Sequence, residues 1–219
     1  MKRILITTVA VLAALAVPAT ATHRPGHRGP SPGNLTVDTK PFTVTFGSAT
    51  TVSGRFTGSN NSARAVTLAE DPFPYGDAFV NAATVNTDAN GNYSFRVTPA
   101  SNRNYRVSVA GEQVFSGVRV RMRVSFSVSD STPRMGQRVA FSGYVAPKHD
   151  GGTVLVQRRT ATGAWSTIRR TLLQATTGDR SRYRTVLAIR RDSTYRTRIA
   201  GHGDHLTGTS RTRFLNAHS

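Results

Sequence analysis

One β-rich pattern is written twice in this chain, about ninety residues apart. Thr51-Val52-Ser53-Gly54-Arg55-Phe56 returns as Ala140-Phe141-Ser142-Gly143-Tyr144-Val145. Asn92-Tyr93-Ser94-Phe95-Arg96 returns as Arg182-Tyr183-Arg184-Thr185, and Tyr105-Arg106-Val107 as Tyr195-Arg196-Thr197. Gly54 and Gly143 are 89 positions apart, and the two tyrosine pairs are each 90 apart. A repeat of this period makes each copy one structural unit, so a fold that suits one copy must suit the other. The expected units are module one, residues 34–120, and module two, residues 121–219.

Strand signals dominate both copies. Thr36 to Phe46, Thr50 to Phe56 and Tyr93 to Val97 are rich in Val, Thr, Phe and Tyr, with period-two alternation. Tyr93, Phe95 and Val97 share one face and Ser94 and Arg96 the other. In the second copy Tyr183, Thr185 and Leu187 oppose Arg182, Arg184 and Val186. Turn signals separate the runs: Gly58-Ser59-Asn60-Asn61, Asn90-Gly91 (read as a two-residue type I′ hairpin), Asp150-Gly151-Gly152 and Thr177-Gly178-Asp179. Many short strands spaced by turns predict an all-β chain of two tandem antiparallel sandwiches. Between the copies, Val118, Val120, Met122, Val124, Phe126 and Val128 alternate with Arg119, Arg121 and Arg123 without a Pro or Gly. The last strand of module one should therefore run almost directly into the first of module two, stacking them end to end.

Thr87-Asp88-Ala89-Asn90-Gly91-Asn92-Tyr93-Ser94-Phe95, followed by Pro99 and Tyr105-Arg106-Val107, resembles secreted bacterial Ig-like modules of high-GC Gram-positive bacteria. Val52-Ser53-Gly54-Arg55-Phe56 and Asp71-Pro72-Phe73-Pro74-Tyr75-Gly76 fit the same group. The Asp-Ala-Asn-Gly-Asn-Tyr stretch is similar also to carboxypeptidase-regulatory-like and collagen-adhesin B-type sandwiches. The resemblance covers roughly residues 34–216, and its motifs are turns and core positions, specific for fold and weak for function. It implies extracellular binding or scaffolding modules. The second copy departs from it, since Gly178-Asp179-Arg180-Ser181-Arg182-Tyr183 lacks the Asn-Gly turn.

The first residues carry the marks of an export signal. Lys2 and Arg3 precede an apolar run from Ile4 to Val17, and Ala19-Thr20-Ala21 offers a cleavage site, so residues 1–21 are expected to be a signal peptide. Residues 22–33, rich in Arg, Pro and Gly, read as a disordered arm. No second apolar run follows, so no transmembrane segment is expected after cleavage. The expected location is extracellular, with retention at the cell wall by charge. The chain has no cysteine, which excludes disulfides, thiol nucleophiles and thiolate metal sites. An exported chain without disulfides depends on packed cores.

No catalytic constellation is legible. No histidine lies between His27 and His149, so module one cannot hold a Ser-His-Asp arrangement. Glu70, Asp71 and Asp77 surround Pro72, Phe73, Pro74 and Tyr75; a carboxylate pair could serve a glycosidase, but solvated acids beside an aromatic loop are the simpler reading. His202-Gly203-Asp204-His205 could bind zinc, but glycines flank it and it reads as a solvated turn. Asp88-Ala89-Asn90-Gly91-Asn92 lacks the later bidentate acid of a calcium loop. No metal site and no cofactor are assigned.

Charge is the feature that exceeds what folding requires. The chain has a formal net charge of +18. Residues 34–118 balance Lys40, Arg55, Arg64, Arg96, Arg103 and Arg106 against Asp38, Glu70, Asp71, Asp77, Asp88 and Glu112. Residues 119–219 hold eighteen arginines and Lys148 against Asp130, Asp150, Asp179, Asp192 and Asp204. Genomic composition cannot explain why one of two sister modules is neutral and the other basic. Arg182, Arg184, Arg196 and Arg198 should point outward. If their strands form a hairpin, Arg184 and Arg198 become cross-strand neighbours. Arg158, Arg159, Arg169, Arg170, Arg190 and Arg191 would extend the field. Arginine suits phosphate and carboxylate through its planar fork. The expected function is non-enzymatic adhesion or scaffolding at the cell envelope, with these ten arginines binding anionic cell-wall polymers or acidic polysaccharide. A solvated basic face is the plain alternative. A second alternative is a carbohydrate or peptide binder using Phe73, Tyr75 and Phe79, and a small hydrolase is the least favoured. Sequence-specific nucleic-acid binding is not expected without a groove-entering helix. The single tryptophan, Trp165, reads as core or edge packing, or as a sugar-stacking platform.

Overall fold

A computed structural model describes residues 34–57 and 60–219; the expected signal peptide, the arm and Gly58-Ser59 of the first turn lie outside the described residues. No helix occurs among the described residues. Residues 34–121 form β1 (Asp38–Lys40), β2 (Thr43–Thr45), β3 (Thr50–Arg55), β4 (Ala65–Pro72), β5 (Val80–Asn86), β6 (Asn92–Val97), β7 (Arg103–Val109) and β8 (Glu112–Arg121). Residues 123–215 form β9 (Arg123–Val124), β10 (Ser127–Val128), β11 (Arg138–Ala146), β12 (Thr153–Arg159), β13 (Trp165–Leu172), β14 (Gln174–Ala175), β15 (Ser181–Ala188), β16 (Ser193–Ile199), β17 (Gly208–Thr209) and β18 (Arg213–Leu215).

The first set makes two sheets, ordered β1-β3-β6 and β2-β8-β7-β4-β5. Val52, Tyr93 and Phe95 from one meet Val66, Leu68, Tyr105, Val107 and Val118 from the other in one apolar layer. The second set repeats the plan. β10, β9, β14 and β15 gather on or beside β11, facing a sheet in which β12 lies between β13 and β16. Phe126, Val139, Phe141 and Leu187 pack on Val156, Tyr195 and Leu215, and beside them Met122, Val145 and Tyr183 pack on Val154 and Ile199. Both halves are Ig-like β-sandwiches. Period-two alternation is what allows each strand to feed a core with one face only.

The repeat has a structural cause. Tyr93 donates its hydroxyl to the Thr36 carbonyl, and Tyr183 donates to the Ser125 carbonyl at 2.6 Å. A Cβ on Gly54 would strike Thr36 O and the Tyr93 hydroxyl; one on Gly143 would strike Ser125 O and the Tyr183 hydroxyl. Each Ser-Gly pair is therefore the notch into which a buried tyrosine brings its phenol. Burial pushes both phenols above the usual tyrosine range.

Four expectations need correction. The run Thr36–Phe46 is not one strand. It breaks at Pro41, so β1 pairs with β3 while β2 crosses to pair in parallel with β8. Proline has no N–H for a ladder, which makes it a natural crossing point. Asn90-Gly91 is not a type I′ hairpin. Only Gly91 has positive φ, the Gly91 amide donates to the Asp88 carbonyl, and the flanking β5 and β6 belong to different sheets. The Asp88 carboxylate accepts from the Asn90 and Asn92 amides and from Asn92 Nδ2, so the turn is closed by its own acid. Glu70 and Asp71 are not solvated loop acids. They lie on β4, with Glu70 bonded to Arg103 at 2.6 Å and Asp71 buried. Finally, β15 and β16 are not a hairpin, because they sit in opposite sheets.

Candidate functional site

Of the ten arginines, Arg182 and Arg184 lie on one sheet of residues 123–215, Arg170, Arg196 and Arg198 on the other, and Arg190 and Arg191 in the loop between β15 and β16. On the first face Arg184 lies opposite Ser142, which lies opposite Ser127; Arg182 lies between Tyr144 and Gln174. These residues line a cleft with Ser125 at its side, and Arg180 stacks on Tyr144 at 4.3 Å. Two guanidinium groups two residues apart on one strand share this face with three serine hydroxyls.

On the opposite sheet Leu155 separates Arg170 from Arg198 in one cross-strand row. Arg196 donates to Gln157 Oε1 at 2.9 Å and stacks over Trp165 at 4.1 Å. Trp165 thus sits on edge strand β13 as the platform for an arginine, outside the apolar cores. Burial and the charge of Arg198 lower the pKa of Arg196 from its ordinary value. Arg184 and Arg198 are not cross-strand neighbours; a buried layer holding Tyr183 and Tyr195 separates their sheets.

Arg158 and Arg191 approach a third place. Burial raises the Tyr195 phenol, and these two cations oppose the rise. Arg159, Arg169 and Arg190 are exposed. Among the described residues none of the ten arginines makes a salt bridge. The five acids of this half are engaged elsewhere. Asp130 accepts from Thr132 and Gln137, Asp150 from Ser181 beside Lys148, Asp179 from the Lys148 amide, and Asp192 from the Ala217 amide. Asp204 contacts histidines.

The aromatic loop does not form one platform. Phe73 and Tyr75 meet edge to face at 5.5 Å, and Phe73 lies against Gly203 of the second half. Arg119 donates to the Tyr75 hydroxyl. Phe79 instead meets Phe115 at 5.7 Å, with Arg106 over its ring at 5.1 Å.

The junction between the halves is a mesh of hydrogen bonds. β8 ends at Arg121 and β9 begins at Arg123, leaving Met122 as the only residue between them. The loop between β16 and β17 reaches back across. Asn102, buried, takes its amide to the Asp204 carbonyl at 2.8 Å and its Nδ2 to the Gly203 carbonyl at 2.8 Å, while its Oδ1 accepts from Val120 N at 2.7 Å. Leu206 N donates to Val120 O, and Met122 N to Leu206 O.

That loop is not the solvated turn expected. His205 is only 4% exposed, and its Nε2 donates to the Ala100 carbonyl at 2.8 Å. Around Asp204 stand three imidazoles: His202 Nδ1 at 2.6 Å from Oδ1, His205 Nδ1 at 3.0 Å from Oδ2 and His149 Nε2 at 4.0 Å from Oδ2. Burial works against the Asp204 charge, but the His202 hydrogen bond and the His205 imidazole outweigh it and lower its pKa. His149 stands 53 positions before His202 in sequence, and only the neighbouring loops bring it here.

No family model and no curated protein matches the sequence. Among solved structures the chain is similar to the full ectodomain (Ig1–Ig3) of mouse nectin-like molecule 4, at 14% identity and a TM-score of 0.32. The match covers 85% of this chain and 65% of that one. No helix among the described residues is long and apolar enough to cross a membrane.

Proposed function

We propose that this is an exported, non-enzymatic adhesion or scaffolding protein of the cell envelope, held to polyanionic polymers by its basic second half. The observation that supports this most is the charge pairing. Every acid in residues 119–219 is bonded to a group other than these ten arginines, so the arginines on both faces keep their charge for an outside partner. The Arg182–Arg184 face supplies two planar forks beside serine hydroxyls, a donor set suited to phosphate, sulfate or carboxylate oxygens. The Arg170–Arg198 row supplies a second.

Retention of the full chain on a heparin column, eluted with rising salt, tests the reading. Elution should move steeply with ionic strength, because each phosphate-like contact releases counterions. Arg182→Ala/Arg184→Ala and Arg170→Ala/Arg198→Ala should each elute earlier. Retention insensitive to salt, or unchanged in both double variants, would refute the charge reading. Binding that survives loss of both faces would point to the pair of half-buried Phe79 and exposed Phe115.

A further inference from the structure

We propose that His149, His202 and Asp204 form a binding site for a zinc-class dication beside the junction, with His205 as a positioning residue. This goes beyond the polyanion reading and does not rest on it. The three side chains bring one ligand atom each to within 4.8 Å of one another. Two imidazoles and a carboxylate are a donor set preferred by zinc and its neighbours, and three protein ligands leave one position for water.

Two of the rings are anchored by backbone carbonyls. A carbonyl can only accept, so the 2.8 Å contact from His149 Nδ1 to Pro147 O places the proton on Nδ1 and leaves Nε2 as a lone pair facing Asp204. This is the backbone anchoring that metal-bound histidines use to fix ring orientation. The same logic holds at His205. Its Nε2–H goes to Ala100 O, which fixes the ring with Nδ1 buried and turned toward Asp204. That atom faces the Asp204 carboxylate at 3.0 Å without an aligned hydrogen bond. The contact holds the Asp204 carboxylate in place beside His149 and His202, which is the positioning role assigned to His205. His202 is 53% exposed in its side chain and closes the site from the solvent side. Because the Gly203 and Asp204 carbonyls also hold Asn102, a bound ion would pin the loop that joins the two halves.

The test is calorimetric titration of Zn²⁺ alone into the chelator-stripped full chain, with melting followed by circular dichroism. One ion per chain should bind, and the melting temperature should rise with it. His202→Ala changes an exposed side chain, so the metal-free protein should melt as before while zinc affinity falls by about tenfold or more. Asp204→Asn removes the carboxylate of the set and should weaken zinc binding likewise, read as affinity and not as melting of the metal-free chain, since its histidine contacts are lost with it. Replacing His23 and His27, outside the described residues, should leave the stoichiometry at one. Absence of saturable uptake, or uptake unchanged by His202→Ala, overturns the proposal. Should His149→Ala fail to fold, the His202→Ala result decides. Substitution with Co²⁺ should give the strong visible absorption of a four-coordinate ion, and a weak octahedral spectrum would count against the site.

Discussion

At Gly54 and Gly143 the place of a side chain is already taken by a neighbouring carbonyl and a tyrosine hydroxyl. The segment joining β9 to β10 cannot back away from β11 without breaking the bond from Tyr183 to Ser125 O, and Tyr183 cannot tilt without losing its 2.9 Å contact with Thr197. Gly143→Ala should therefore destabilise the fold by about 3 kcal/mol, the upper range for overpacking a dense core. Urea unfolding would measure it, and a loss below about 0.5 kcal/mol, the usual scale of neutral surface changes, would show that the notch is not needed. The repeated Ser-Gly was visible in the sequence. Its reason was not, because the tyrosine that fills the notch lies about forty positions downstream. His149 was missed for the same cause. Histidine beside Lys148 and Asp150 looks like any polar turn until the fold sets it against Asp204.

Alternation along a strand tells which side chains go inward, and it served well at Tyr93, Phe95, Tyr183 and Tyr195, all of which are buried. It does not tell which of two facing sheets a strand joins. Tyr183 and Tyr195 point inward from opposite layers, so the pattern that suggested a β15–β16 hairpin is equally satisfied by a crossing. The cysteine-free chain allows a direct test. Ser142 and Arg184 are directly opposed on β11 and β15, within the usual span of a disulfide. Ser142→Cys/Arg184→Cys should close within one chain under mild oxidation, whereas Arg184→Cys/Arg198→Cys should stay reduced as a monomer. The reverse outcome would restore the hairpin. The turn at Asp88 carries the same lesson. Asn-Gly marks a reversal, but the carboxylate of Asp88 and the sheet change decide its form.

Across the whole molecule, neutral and basic halves meet at a loop whose backbone is bonded to both. The continuous alternation from Val118 to Val128 signalled a short connection, and a single residue, Met122, separates β8 from β9. The mesh around Asn102 carried no sequence signal, since an asparagine between Ser101 and Arg103 reads as ordinary surface. The charge imbalance was legible by counting; its division between two faces was not, because it depends on the crossing from β15 to β16. That division has a mechanical outcome. If both faces hold polyanions as proposed, a slab with arginines on its top and its underside would do more than coat a strand: it would staple two together. Added in small amounts to dilute heparin or polyphosphate, the protein should produce turbidity that clears with excess protein or added salt. A variant stripped of arginine on one side only should still bind yet leave the solution clear, turning a glue into a varnish.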